Sequence, residues 1–272
     1  MEIYLCTIML QNHKWTKDKT PDWPVEELIP RVKGLGYDGL ELWGYHITDK
    51  TDAEMEAIRE IAEKAGLKIG VLAPYFRFTE SQESADASLQ EAEKFIRFCG
   101  ITGAAKIRVF SGGPGSADAG HEHWERGVRG IRQTCGMAEG KDITFVAETH
   151  ANMLHDTVDS SLRLVKEVDH PRFKLNFQPA TFPKEDPVVL FDQLAAHVDH
   201  IHASNLCPDP DVEKEKGRIP WEAFLGHLKG AGYDGTMSVE FVKDSTAPEA
   251  EYSLDTVLDN ARKDREFIGS HF

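Results

Sequence analysis

Eight short β-rich runs alternate with amphipathic helical stretches along the chain, and this rhythm constrains the fold more than any other feature. The predicted strands are Ile3–Met9, Gly39–Trp43, Lys68–Pro74, Ala105–Phe110, Ile143–Glu148, Phe173–Phe177, His200–Ala203 and Thr236–Phe241. Helical segments are expected near 25–36, 52–65, 82–99, 122–138, 157–168, 187–196 and 221–231, with a last one near 249–267. Eight units in 272 residues leave about 34 residues per unit, the size of one βα unit of a parallel barrel. An open doubly wound sheet, the other option for alternating units, usually stops at five or six strands. The pattern predicts a (β/α)8 TIM barrel forming a single domain over residues 1–272.

The segment KGLGYDG at 33–39 returns as KGAGYDG at 229–235, each time passing from a helix end into a strand. Gly36 and Gly232 are expected in the left-handed conformation that stops a helix, with similar stops at Gly66, Gly100 and Gly140. This echo is architectural and carries no chemistry.

Composition narrows the partners. The 31 Lys+Arg against 46 Asp+Glu give a net charge of −15, which speaks against nucleic acid as the ligand. The opening MEIYLCTIML has no basic start and no small-residue cleavage site, so it reads as a strand and not a signal peptide. No run approaches the ~18 apolar residues of a membrane span. Cys6, Cys99, Cys135 and Cys207 form no C-x-x-C pair, as expected of reduced thiols in a cytoplasm.

In such a barrel the chemistry belongs at the C-terminal ends of the strands. Strand 5 reads ITFVAETH, with Glu148 closing an apolar run and His150 two residues on. Strand 6 reads FKLNFQPAT and puts Asn176 and Gln178 on one side; strand 7 reads HIHASN and does the same with His200 and His202. Strand 8 reads MSVEFVKD and ends with Glu240. Any one of these groups is explained by capping, ion pairing or a core hydrogen bond. Four of them on adjacent strands, Glu148, Gln178, His202 and Glu240, form a mostly hard donor set. It suits one divalent metal ion such as Mn²⁺, Mg²⁺ or Co²⁺, with Zn²⁺ a less typical occupant.

The motifs DGLELW (38–43), KIRVFSGG (106–113), AETHANMLHDT (147–157), LNFQPAT (175–181), HIHASN (200–205), GRIPWEAFLGHLKGAGYDG (217–235) and MSVEF (237–241) resemble the sugar phosphate isomerase/epimerase-like barrels of the xylose-isomerase-like superfamily. The resemblance covers essentially the whole chain. It implies a metal held by Glu148, Gln178, His202 and Glu240, with Glu148 and Glu240 doubling as an acid/base pair. The chain departs on strand 6, where relatives read N-x-D-P-x-H. Here Gln178 stands for the acidic ligand and Thr181 for the histidine. A DNA-repair nuclease of the same superfamily needs that histidine and an Asp-x-His after strand 7, which CPDPDVEKEKGR lacks, so the nuclease reading is poor. Relatives often pair, and a homo-oligomer is expected by analogy only.

A cation between two glutamates can hold adjacent substrate oxygens and stabilise an enediolate when the neighbouring C–H loses its proton. The expected activity is a metal-dependent sugar or keto-sugar isomerase or epimerase. A lyase or dehydratase acting on a keto-sugar or cyclic polyol ketone would share the first step, and a non-catalytic sugar-binding barrel is the third reading. Substrate contacts are expected from Glu41, Arg108, His150, Trp15 and Lys243, with His46 similar to Lys243. Of the aromatics in the βα loops, Trp15, Trp23, Trp43, Phe76, Trp124 and Phe177, most are expected to be packing residues. The SGGPGS segment at 111–116 lacks the P-loop lysine and is as well explained by a flexible turn.

Overall fold

Parallel strands β1 (Glu2–Cys6), β2 (Gly39–Trp43), β3 (Lys68–Ala73), β4 (Lys106–Val109), β5 (Thr144–Glu148), β6 (Phe173–Phe177), β7 (Val198–Ser204) and β8 (Thr236–Phe241) close on themselves in chain order, β8 pairing with β1. The structure is a computed structural model, and it describes residues 1–12, 19–182, 184–206 and 219–272. Trp15, Cys207 and the strand-7 loop at 207–218 lie outside the described residues. The helices are α1 (Val25–Val32), the short α2 (Gly44–Ile47), α3 (Asp52–Ala65), α4 (Gln82–Thr102), α5 (His121–Met137), α6 (Val158–Val168), α7 (Pro187–Leu194), α8 (Trp221–Gly230) and α9 (Leu254–Gly269). The expected (β/α)8 TIM barrel is what the chain forms.

Alternation along each strand sorts the residues. Phe145, Ala147, Leu175, Phe177, Ile201, Ala203, Met237 and Val239 join the apolar core that the helices cover. The residues between them, Glu148, Asn176, His200, His202, Ser238 and Glu240, are buried and polar. The second set fills the inside of the barrel, because successive side chains of a strand point to opposite faces. Helix starts are fixed locally: Thr51 and Glu54 form a reciprocal cap on α3, and Thr157 caps α6.

Several boundaries differ from expectation: α1 stops at Val32 where the helix was expected to reach 36, and α9 begins at Leu254 where it was expected near 249. β1 stops at Cys6, and Thr7–Leu10 form a buried 3-10 turn. Thr7 Oγ1 accepts a hydrogen bond from Trp43 N at 2.9 Å and lies 2.9 Å from His46 Nδ1, folding the chain inward while it stays apolar. The α4 helix runs past Gly100 to Thr102, and Gly103 (φ +78°) is the residue that ends it. Gly36, Gly66, Gly140 and Gly232 do adopt positive φ.

The barrel is stopped at its lower end. Tyr4 lies against Gly70, where any side chain would collide with the tyrosine ring, and Lys106 Nζ pairs with Asp199 Oδ2 at 2.5 Å across the interior. At the other end, β7 pairs Ala203 with Val239 and Ser204 with Phe241, leaving Glu240 as the extra residue of a bulge. Cys6, Cys99 and Cys135 are free and buried. Among the described residues no helix is long and apolar enough to cross a membrane.

Candidate metal centre

His202 is the hub of the barrel mouth. Its Nδ1 lies 3.6 Å from Glu148 Oε1 and 3.6 Å from Glu240 Oε1, and this buried atom has no hydrogen-bond partner. Its Nε2 lies 3.1 and 3.0 Å from the two oxygens of Glu41. An imidazole whose N–H is committed to a carboxylate on one side offers a lone pair on the other, the usual arrangement of a metal-binding histidine. Glu148, His202 and Glu240 bring ligand atoms within 4.8 Å of one another. Two carboxylates around an orphaned imidazole nitrogen fit a divalent cation.

The local field points the same way. Burial opposes charge on His202, but Glu41, Glu148 and Glu240 outweigh it and raise its pKa well above the ordinary histidine value. The negative field that retains a proton there also attracts a metal. Burial raises Glu148 too, yet His202 and Arg108 override it and hold this carboxylate at about 2. Glu240 goes the other way: burial, reinforced by the charges of Glu148 and Glu41 against the pull of His202, pushes it to about 8. Environment thus pushes the two carboxyl groups in opposite directions.

Arg108 secures the first of these. Its Nη1 donates to Glu148 Oε2 at 3.0 Å, and its Nη2 donates to the carbonyls of Ala73 (3.0 Å) and Pro74 (2.9 Å). The guanidinium packs against the neighbouring rings of Tyr75 and Phe110, 4.5 and 3.9 Å from their centroids. Gln178 turns its nitrogen inward: Nε2 donates to Glu148 Oε1 at 2.5 Å and to Glu240 Oε2 at 3.3 Å.

A family model described as "Xylose isomerase-like TIM barrel" matches residues 29–268. The chain belongs to that family. A curated 3-dehydroshikimate dehydratase of Bacillus anthracis is 30% identical over 180 residues, 63% of this chain and 62% of that enzyme's length. A D-psicose 3-epimerase of Agrobacterium fabrum is 24% identical over 257 residues, 85% of this chain and 82% of that protein. The crystal structure of a D-psicose 3-epimerase from Clostridium cellulolyticum H10, holding D-tagatose, shares the fold with a TM-score of 0.77 at 16% identity, over 99% of each chain.

Within this xylose isomerase-like barrel the expected substrate residues separate. Glu41 is sealed beneath the mouth: its oxygens face His202, and His200 Nε2 at 3.2 Å, so it braces imidazoles where a substrate contact was expected. Glu41, His200 and His202 also cluster tightly, but the facing nitrogens are spent on Glu41, and His200 Nδ1 lies 2.7 Å from Thr236 Oγ1. Arg108 is likewise buried and committed, a brace for Glu148. His150 is half-buried at the rim, its ring edge-on to Phe110 at 5.1 Å. Lys243 is exposed beyond β8. His46 is buried between Thr7 and Gln11, whose Nε2 lies 2.5 Å from His46 Nε2, so it fastens loops and does not face the mouth. Two of the SGGPGS amides are already taken: Gly115 N donates to Asn152 Oδ1 and Ser116 N to Asp156 Oδ2, a carboxylate that would repel phosphate.

Phe76, Trp124 and Phe177 are core residues, as expected of most aromatics here. Sequence reasoning passed over Tyr75, Phe110 and Lys19. Tyr75 accepts from Trp43 Nε1 at 2.7 Å, and Lys19 Nζ lies 5.4 Å from the Tyr45 ring and 5.5 Å from Tyr75. The available signal was position, since Tyr75 and Phe110 each fall just past a strand end.

Proposed function

We propose that the protein is a divalent-metal-dependent epimerase or isomerase that moves a proton on the carbon beside the carbonyl of a sugar or keto-sugar. The observation that carries this reading is the unpartnered Nδ1 of His202, equidistant from Glu148 and Glu240 and oriented by Glu41. Glu148, His202 and Glu240 would hold the cation, with Gln178 a fourth candidate. Once bound, the cation would stabilise the negative charge that develops on adjacent substrate oxygens.

The chain supplies the proton chemistry. Glu148, oriented by Arg108, would serve as the base, and Glu240, on the other side of His202, as its acid partner. Trp43, Tyr45, Tyr75 and Phe110 form an apolar wall that excludes water and suits the C–H side of a sugar. The likeness to D-psicose 3-epimerases supports this outcome.

A dehydratase reading is favoured by the 30% identity to the B. anthracis enzyme and shares the first proton removal. The two diverge when the β-hydroxyl either stays or leaves. A non-catalytic sugar binder has no support among these relatives, which are enzymes. Protein loaded with Mn²⁺ and incubated in D₂O with ketoses, keto-acids and inososes will place deuterium beside the carbonyl, detected by NMR. A product that keeps the mass of its substrate apart from deuterium marks an epimerase or isomerase; one lighter by a water marks a dehydratase. Chelator must stop the exchange. Absence of exchange and turnover with every compound would remove both readings.

A further inference from the structure

The Gln178 amide touches two different environments, and they want opposite ends of it. Inward, its Nε2 donates to Glu148 and Glu240. Outward, its Oε1 lies 3.3 Å from Thr181 Oγ1. The same hydroxyl lies 2.8 Å from the carbonyl of Thr149. A threonine hydroxyl has one hydrogen to give, and the shorter contact takes it. What Thr181 then presents to Gln178 is a lone pair, set against the lone pairs of Oε1. Thr181 is therefore matched to an amide nitrogen, and the site carboxylates are matched to one as well. The planar amide has a single nitrogen and satisfies only one of them.

A divalent cation between Glu148 and Glu240 breaks this tie. It repels the amide N–H groups and attracts the amide oxygen, while Thr181 Oγ1 is already poised to accept from Nε2. We propose that Gln178 is an amide pivot set by Thr181: when a divalent cation binds, the amide turns over, Oε1 joins the cation and Nε2 donates to Thr181. Thr181 is a positioning residue here, acting only through Gln178. The backbone holds the pivot in place, since Gln178 N donates to Thr149 Oγ1 at 2.9 Å and Thr149 N donates to Asn176 O at 2.9 Å. The same pair explains how a chain with Gln178 and Thr181 on strand 6, in place of an acid and a histidine, retains a fourth ligand, again an oxygen. It also predicts a neutral ligand, and so a more exchangeable metal than a third carboxylate would give.

This inference rests on the metal reading of Glu148, His202 and Glu240, and the test separates the two. The probe is Mn²⁺ alone, titrated into the full chain and followed by the EPR signal of the free ion, so no substrate or turnover is needed. Thr181→Val removes the hydroxyl and should weaken binding roughly five-fold, the value of one neutral hydrogen bond. Thr181→Ser should restore wild-type affinity, and Thr181→Ala should behave like the valine variant. In a Gln178→Glu background no nitrogen exists to be oriented, so Thr181→Val should leave Mn²⁺ affinity within about two-fold; such a cycle isolates the coupling. Equal losses in both backgrounds, or no loss with glutamine present, overturn the pivot while leaving the metal site standing. A wild-type chain that binds no Mn²⁺ overturns both.

Discussion

From β5 to β8 the strand ends carry Glu148, Gln178, His202 and Glu240; from β1 to β4 the equivalent positions carry Cys6, Trp43, Tyr75 just past β3, and Arg108 with Phe110. One side of the mouth concentrates ionisable groups and the other is largely an aromatic wall. Two charged residues of the aromatic half, Glu41 and Arg108, turn toward His202 and Glu148. The first half thus contains braces and a dry surface, and the second contains the groups that would meet a cation. Burying the braces makes geometric sense: charges that only orient other charges work best where water cannot compete.

The largest expected effect breaks the ionisable half. Glu148→Gln or Glu240→Gln should lower kcat/KM roughly 10³-fold, within the range for a lost general acid or base, while circular dichroism shows a folded barrel. Retained turnover would dissolve the contrast between halves. Next comes the brace: Glu41→Gln should weaken Mn²⁺ binding about 10- to 100-fold, measured by competition with a chelator. Unchanged affinity would return Glu41 to an ordinary core role.

Both halves contain buried histidines that burial keeps neutral, and acid should expose the difference between His46 in the first and His155 in the second. Burial lowers His46 to about 3 and His155 to about 4. In the unfolded chain both titrate near 6.5. Their native, uncharged forms therefore favour folding fully above about pH 6.5, and this contribution is lost as pH falls toward the folded values. Tm should drop over that window, and replacing either histidine by leucine should flatten the drop. At neutral pH His46→Leu should cost about 2 kcal/mol in urea unfolding, because Thr7 and Gln11 lose their partner. His155→Leu should cost less, since neither of its ring nitrogens has a hydrogen-bond partner. Smallest of all, Tyr75→Phe deprives Trp43 Nε1 of its acceptor and should raise KM a few-fold with kcat unchanged. A larger fall in kcat would place the aromatic wall closer to the chemistry.

The strand-end donors were legible because alternation is local: an apolar run that closes on Glu148 or Glu240 marks the residue that faces inward. The same rule located Glu41 and Arg108 on the inner face but not their partners, because Glu41 meets imidazoles from a strand far away in sequence. The end of β1 was hidden because Thr7–Leu10 are buried whether they extend or turn. Gly100 misled for a related reason. A glycine signals a possible helix stop, and Gly103 is where the left-handed residue falls.

The sealed lower end of the barrel, with Tyr4 against Gly70 and Lys106 locked to Asp199, makes this a cul-de-sac. Whatever enters at the top must depart by the same doorway, so reactant and outgoing molecule contend for one passage. Accumulated product should therefore inhibit competitively.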